Sequence, residues 1–458
     1  MAGYIGRSEK ERGEMLRSIG VGSIDELLRQ VPVQLRKRAK IGLGPGISEM
    51  EVSTNLSEMA AGNLSTQNAV CFAGAGVYDH FVPAAVRHLL SRSEFYTCYT
   101  PYQAEVSQGT LQCIFEYQSL MCRLTGMDVC NASMYDGATA VAEAALLAVA
   151  ARERPRVLVS ACVHPHHREV LKTYCSASGI EVLEIPSHDG VTDMEALKAA
   201  LQTDAACFIH QQPNFYGIVE DTSEFAKLRS ANPALLVSYV DPVSLALLQP
   251  PAQYGADIVV GEGQALGNPM SFGGPLLGFF ASRNEYLRKL PGRIVGMTVD
   301  ANGKRGFVLT LQTREQHIRR AKATSNICTN EALMALAATI HLSLLGEKGL
   351  REVAERCLAK SHYAAEKLCK IHGFSLRYQK PFFKEFLLSC PVSAEALVSE
   401  LMKKGILAGV PLSRFAWTDE TESHRLLLLA VTEKRTSVQI DGLCKAMGEI
   451  AGTMRRVD

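Results

Sequence analysis

No lysine stands between Lys227 and Lys289. The gap spans residues 254–280, YGADIVVGEGQALGNPMSFGGPLLGFF, which read as a buried strand, a polar loop and a glycine-rich return. Other shortages bound what the chain can be. Charge of one sign is missing: the net charge is +1, so nothing global recruits nucleic acid or a membrane. No apolar run of about 18 residues stands out, which predicts no membrane-spanning helix. The opening MAGYIGRSEKERGE has no apolar signal core. Thirteen cysteines, an odd number, include no Cys-x-x-Cys pair. That argues against a disulfide framework or a structural zinc site, and predicts a reducing, cytoplasmic setting. Cys162, close to His164, offers either a thiol nucleophile or an ordinary packing residue in an apolar strand.

What is there is an ordinary globular balance, 47% hydrophobic and 21% charged over 458 residues. Residues 1–65 predict a helical arm. Ser8 with Glu11, Ser23 with Glu26 and Ser48 with Glu51 each fit a capping box. Gly20, Pro32 and Gly62 supply stops. Met15, Leu16 and Ile19, then Leu27, Leu28 and Val31, fall on one face of each short helix, and such helices need a surface to lie on. The basic run Arg36-Lys37-Arg38-Ala39-Lys40 reads as a solvated linker. From residue 66 strands alternate with helices: strands at 156–161, 180–186, 206–210, 234–241 and 256–261, with helices at 166–179 and 223–231 between them. That alternation predicts an α/β domain, residues 66–328, with a mostly parallel sheet and ligands at the carboxyl ends of its strands. A long helical pattern over 329–371 and a mixed C-terminal segment predict a connector and a small α+β domain, residues 329–458.

Three features sit where a pyridoxal phosphate pocket would need them. Asp136 and Gly137 open an alanine-rich helix whose free N–H groups suit a phosphate, or Asp136 simply caps that helix. Asp241 ends the strand LLVSYVD, where it could pair with a pyridinium nitrogen or start a turn before Pro242. Gln264 and Ala265 fall where the Schiff-base lysine belongs, and neither can supply an amine. A denser signal is FYTCYTPYQAEVSQGTLQ (95–112). Tyr96, Tyr99, Tyr102 and Gln103, with Glu105 and Gln108, suit either a lining wall or an interface loop. The motif GAGVYDH (74–80) is a weak dinucleotide loop lacking its third glycine. HPHHREV (164–170) reads as a metal site or a polar strand-to-helix turn. No metal site is expected.

The stretches FYTCYTPYQAEVSQGTLQ, LTGMDVCNASMYDGATAVAEA, VDANGKRGFVLTLQTREQHIRRAKATSNICTN and MLRSIGVGSIDELLRQVP together resemble the glycine cleavage system P-protein, glycine dehydrogenase (decarboxylating). The closer likeness is to the lysine-less subunit 1 of the two-chain bacterial form. The resemblance runs from about residue 4 to the C-terminus. It implies the fold of type-I pyridoxal phosphate enzymes, with a relic pocket at Asp136, Gly137, Asp241 and Ala265. It implies that the cofactor sits on a lysine-bearing subunit 2, in an α2β2 assembly. The implied reaction is decarboxylation of glycine with transfer of the aminomethyl group to the lipoyl group (lipoamide) of H-protein. Tyr96, Tyr99, Tyr102 and Gln103, with Thr324, Ser325 and Asn326, would then line the partner's site or the path of the lipoyl arm. Two rivals are a structural or regulatory partner with no site residues, and a self-sufficient aminotransferase or desulfurase using a lysine such as Lys304.

Overall fold

A computed structural model of the chain describes residues 8–39, 42, 44–415 and 420–455. The chain divides into two compact units at Leu64–Ser65.

In the first unit, helices Glu9–Ile19 and Glu49–Ala61 carry complete capping boxes from Ser8 and Ser48. Gly20 takes the left-handed cap, φ 84°, whereas Gly62 stays right-handed. The Ser23 box is half formed: its hydroxyl accepts the Glu26 N–H, but the Glu26 carboxylate turns to the Gly22 N–H. That helix, Ile24–Leu27, is a single turn. The basic run is not a linker as expected. Arg36–Arg38 complete a helix, Val33–Arg38, and Arg36 pairs with Asp25 at 3.2 Å. Lys40 lies outside the described residues. Met15, Ile19, Leu27, Leu28 and Val31 are exposed.

In the second unit a seven-stranded sheet runs in the order Val129–Cys130, Gly278–Ser282, Ile258–Glu262, Leu235–Val240, Cys207–Gln212, Arg156–Ser160, Glu181–Ile185. Gly278–Ser282 is antiparallel to both neighbours. The other pairings are parallel. Parallel strands are covered on both faces, and the residues show it. In Leu235–Val240 every residue is buried. Leu235, Val237 and Tyr239 join one core, while Leu236 and Val240 join the other, as the two-residue period of a strand requires. Helix Gly137–Arg152 lies on the first face, where Ala140, Ala144 and Ala148 let it approach closely. Ala335, Ala338, Leu342, Leu350, Ala354 and Cys357 of helix Ala332–Cys369 are buried in the second core.

That helix fulfils the long helical pattern expected over 329–371 but departs from the expectation of no long apolar run. One stretch of it is long and apolar enough to cross a membrane by composition. Its apolar side is the second core itself, and Gly346 interrupts it at φ 59° and ψ −174°.

A four-stranded antiparallel sheet, ordered Ser375–Leu376, Glu385–Ser389, Leu426–Ala430, Val410–Pro411, carries helices Ala394–Lys403 and Ser437–Met454. The short strand Val70–Cys71, inside the range 66–328 read as the large domain, pairs with Ile406–Leu407. Phe72 is fully buried among the small-sheet residues. The following loop therefore crosses from the small sheet toward the ends of the large-sheet strands.

Candidate functional site

The carboxyl ends of the central strands deliver Gln211, Asp241 and Glu262 to one narrow cavity of about 30 Å3, lined also by Tyr78, His164, Ala265, Lys384 and Glu385. Ala265 and Asp241 thus share a pocket, as the strand-end reading expects. Its charged positions are already matched within the chain.

Asp241 pairs with Lys384 at 2.7 Å. Lys384 is 1% exposed, and its ammonium lies 3.8 Å from the centre of the Tyr78 ring. It also donates to His80 Nε2 at 3.0 Å. A lysine ammonium is donor-only, so His80 accepts at Nε2 and carries its proton on Nδ1. Nδ1 then donates to Glu433 at 2.6 Å. Burial first, then the Lys384 charge, pushes the His80 pKa down, which agrees with a neutral ring. Burial alone would lift Glu433, but hydrogen bonds from His80 and the Phe81 N–H hold its carboxyl below its ordinary value. His80, Cys357 and Glu433 do bring three ligand-type atoms within 4.8 Å of one another. There Lys384 already supplies a cation beside His80. Glu385 accepts from the Ala75 N–H and the Tyr78 hydroxyl, and burial raises its pKa to about 7 against those bonds.

The helix N-terminus is matched too. Asp136 is the N-cap, accepting the Thr139 N–H at 2.7 Å. The Gly137 N–H donates to Glu262 at 3.0 Å. Glu262 also accepts from the Gln264 and Leu277 N–H groups. Burial pushes its pKa up to about 7, with those backbone donors opposing. A Cβ on Gly137 would lie 2.9 Å from the Tyr239 ring, so aromatic surface closes the same spot.

Pyridoxal phosphate needs an amine, an anion cradle and a free carboxylate. Here the amine position is Ala265, the cradle holds a carboxylate, and Asp241 already faces an ammonium. The residues present do not fit the cofactor.

The tyrosine loop stands apart from this cavity. Tyr96, Tyr99 and Tyr102 are 68%, 80% and 54% exposed, and Gln103 is exposed. Tyr96 and Tyr99 border a separate hollow with Cys113 and Leu336. Tyr102 reaches Arg293, which also holds Cys328 and Asn330. Gln108 is a packing residue, exchanging two hydrogen bonds with the Phe307 backbone. Thr324 and Ser325 are half-buried beside Arg314, and Asn326 is exposed. The structure therefore joins Tyr102 to the segment following Asn326, not to the cavity.

The remaining motifs have local explanations. His164 accepts the His166 N–H and faces the Ala75 carbonyl, as in a strand-to-helix turn. Cys162 is fully buried, and burial pushes its thiol far up, so it is no nucleophile. GAGVYDH leads into no immediate helix, and the next begins at Ala84. Lys304 is exposed at the tip of the hairpin formed by Ile294–Val299 and Arg305–Thr310.

Sequence reasoning missed Glu262, Lys384 and Arg293. A signal existed for Lys384 and Glu385: two charges set inside the apolar run FFKEFLL.

The strand order and the cavity at the strand ends define a fold-type-I pyridoxal phosphate architecture. Solved structures bear this out: an alanine–glyoxylate aminotransferase from Nostoc aligns over 84% of this chain and 95% of its own, with a TM-score of 0.59 at 17% identity. Residues 2–447 match the family model described as Glycine cleavage system P-protein, and the chain belongs to that family. It is 52% identical to a probable glycine dehydrogenase (decarboxylating) subunit 1 of Desulfitobacterium hafniense, over 98% of this chain and 99% of that one. A similar protein of Chlorobium phaeobacteroides, named likewise, is also 52% identical, over 98% and 99%. The crystal structure of a glycine decarboxylase (P-protein) of the glycine cleavage system, in inhibitor-bound form, superposes with a TM-score of 0.89 at 42% identity, covering 98% of this chain and 100% of that one.

Proposed function

We propose that this chain is the lysine-less subunit of a glycine dehydrogenase (decarboxylating), acting with a lysine-bearing second subunit in an α2β2 assembly. The observation that carries this is the self-matched cavity, with Lys384 against Asp241, Glu262 on the Gly137 N–H, and Ala265 in the amine position. Pyridoxal phosphate is bound by the partner, where it supplies the electron sink for decarboxylation of glycine. The aminomethyl group passes to the lipoyl group of H-protein. This chain contributes surface. Tyr96, Tyr99, Tyr102 and Gln103, with Thr324, Ser325 and Asn326, face the partner's site or the path of the lipoyl arm. Thirteen free cysteines, with Cys98, Cys328 and Cys369 exposed, suit a reducing compartment, the cytoplasm. Lys304, on its hairpin tip, lends nothing to a self-sufficient enzyme.

The test is reconstitution. This chain, the lysine-bearing partner and lipoylated H-protein are combined, and exchange of labelled bicarbonate into glycine is followed. Exchange requiring both chains supports the proposal. Full exchange by the partner without this chain makes it structural or regulatory, and exchange by this chain alone makes it self-sufficient.

A further inference from the structure

Arg293 is 4% exposed and forms no ion pair with a carboxylate among the described residues. Its guanidinium is spent on neutral acceptors: Asn330 Oδ1 at 3.0 Å, the Cys328 carbonyl at 2.6 Å and the Tyr102 hydroxyl at 3.2 Å. Its Nε is buried without a partner. Removing a buried cation from water without a counter-charge is costly, so an arginine retained there needs a reason beyond packing.

The hydrogen bond to Tyr102 has a direction. A guanidinium carries donors only, so the Tyr102 oxygen must accept. Its own O–H hydrogen is therefore turned away from Arg293. Tyr102 is 54% exposed, which leaves that hydrogen free to meet an acceptor from outside the chain. The neighbouring cation polarises the phenol and strengthens it as a donor. The rest of the cluster is held as firmly. Asn330 donates to Ser133, and the Cys328 N–H donates to the Tyr135 hydroxyl. The Arg293 carbonyl accepts the Ala132 N–H.

The geometry points to Arg293 as a positioning residue that presents the Tyr102 hydroxyl as a charge-assisted donor to an oxyanion in the partner's site. This rests on the proposed function above. A carboxylate, such as that of glycine, and a phosphate ester, such as that of the partner's cofactor, share the required chemistry.

The experiment uses the assembled enzyme with Tyr102→Phe, Arg293→Gln, Arg293→Lys and the Tyr102→Phe/Arg293→Gln double variant. Glycine KM and kcat are read from bicarbonate exchange, pyridoxal phosphate retention from dialysis, and assembly from sedimentation. Loss of one charge-assisted bond corresponds to roughly 10- to 100-fold. A carboxylate ligand predicts that rise in glycine KM with cofactor retention unchanged. A phosphate ligand predicts weaker cofactor retention by that factor. In either case Arg293→Gln matches Tyr102→Phe, the double variant is no worse than either, and Arg293→Lys recovers part of the loss. Native KM and native retention in Tyr102→Phe overturn the assignment, as do losses that add in the double variant. If the Arg293 variants fail to fold, Tyr102→Phe decides alone, since it keeps the ring. Failure of the underlying function is separately visible, because the unaltered pair of chains would then show no exchange.

Discussion

Lys384→Met removes the ammonium that pairs with Asp241, at nearly constant volume. The Lys384 side chain is 2% exposed and that of Asp241 13%, with 2.7 Å between the charged atoms. Removing one member of a buried pair costs about 3–5 kcal/mol, because the other charge stays buried and unmatched. Asp241 keeps one backbone donor, the Val243 N–H at 2.9 Å, which softens that figure. Loss of the ammonium over the Tyr78 ring adds up to about 2 kcal/mol for a desolvated contact. The single variant should therefore lose about 3–5 kcal/mol in urea unfolding followed by circular dichroism. Lys384→Met combined with Asp241→Asn should regain most of it, since replacing both members of a buried pair by neutral groups is often close to neutral. A loss under about 1 kcal/mol in the single variant, or a double variant as unstable as the two single losses added together, would refute the coupling and with it the account of the cavity.

Stability should fall steeply below about pH 4.5. Burial depresses His80, His164, His167, His210 and His341, so their contribution is present above about 6.5 and lost as pH falls, while raised Glu143, Glu220, Glu262, Glu331 and Glu385 gain over nearly the same window. Below about 4.5 the carboxyls no longer offset. His164 and His341 at about 4 and His210 at about 3 together lose about 3 kcal/mol by pH 3, at ~1.4 kcal/mol per unit each; urea midpoints unchanged down to pH 3 would contradict this. Ala265→Lys should not create a second active centre, because Glu262 and Lys384 still occupy the positions the cofactor's charged ends would need; doubled activity per assembled enzyme would show the cavity competent.

Much of the fold was legible because its signals are local. The strand at 156–161 and the helix at 166–179 appear as Arg156–Ser160 and Pro165–Ala177. The serine caps of the arm are set by residues three apart, and Ser8 and Ser48 form as read. Asp241 and Ala265 could be placed in one pocket because strand ends gather in a parallel sheet. What could not be read is what faces them. Lys384 meets Asp241 and Glu262 meets Gly137 across more than a hundred residues of chain, and no periodicity encodes such a pair. Asp136 carried two readings, and the structure resolves them as a cap. Arg293 gave no signal, since its partners Tyr102, Cys328 and Asn330 come from two distant segments. The likeness to a P-protein was legible from long irregular motifs, which carry more information than any single residue.

The most direct measurement is the location of the cofactor. The assembled enzyme is treated with borohydride, digested, and searched for pyridoxyl-lysine by mass spectrometry. The account predicts one adduct, on the partner's lysine, and none at stoichiometric level on this chain. A stoichiometric adduct on any lysine of this chain would contradict it.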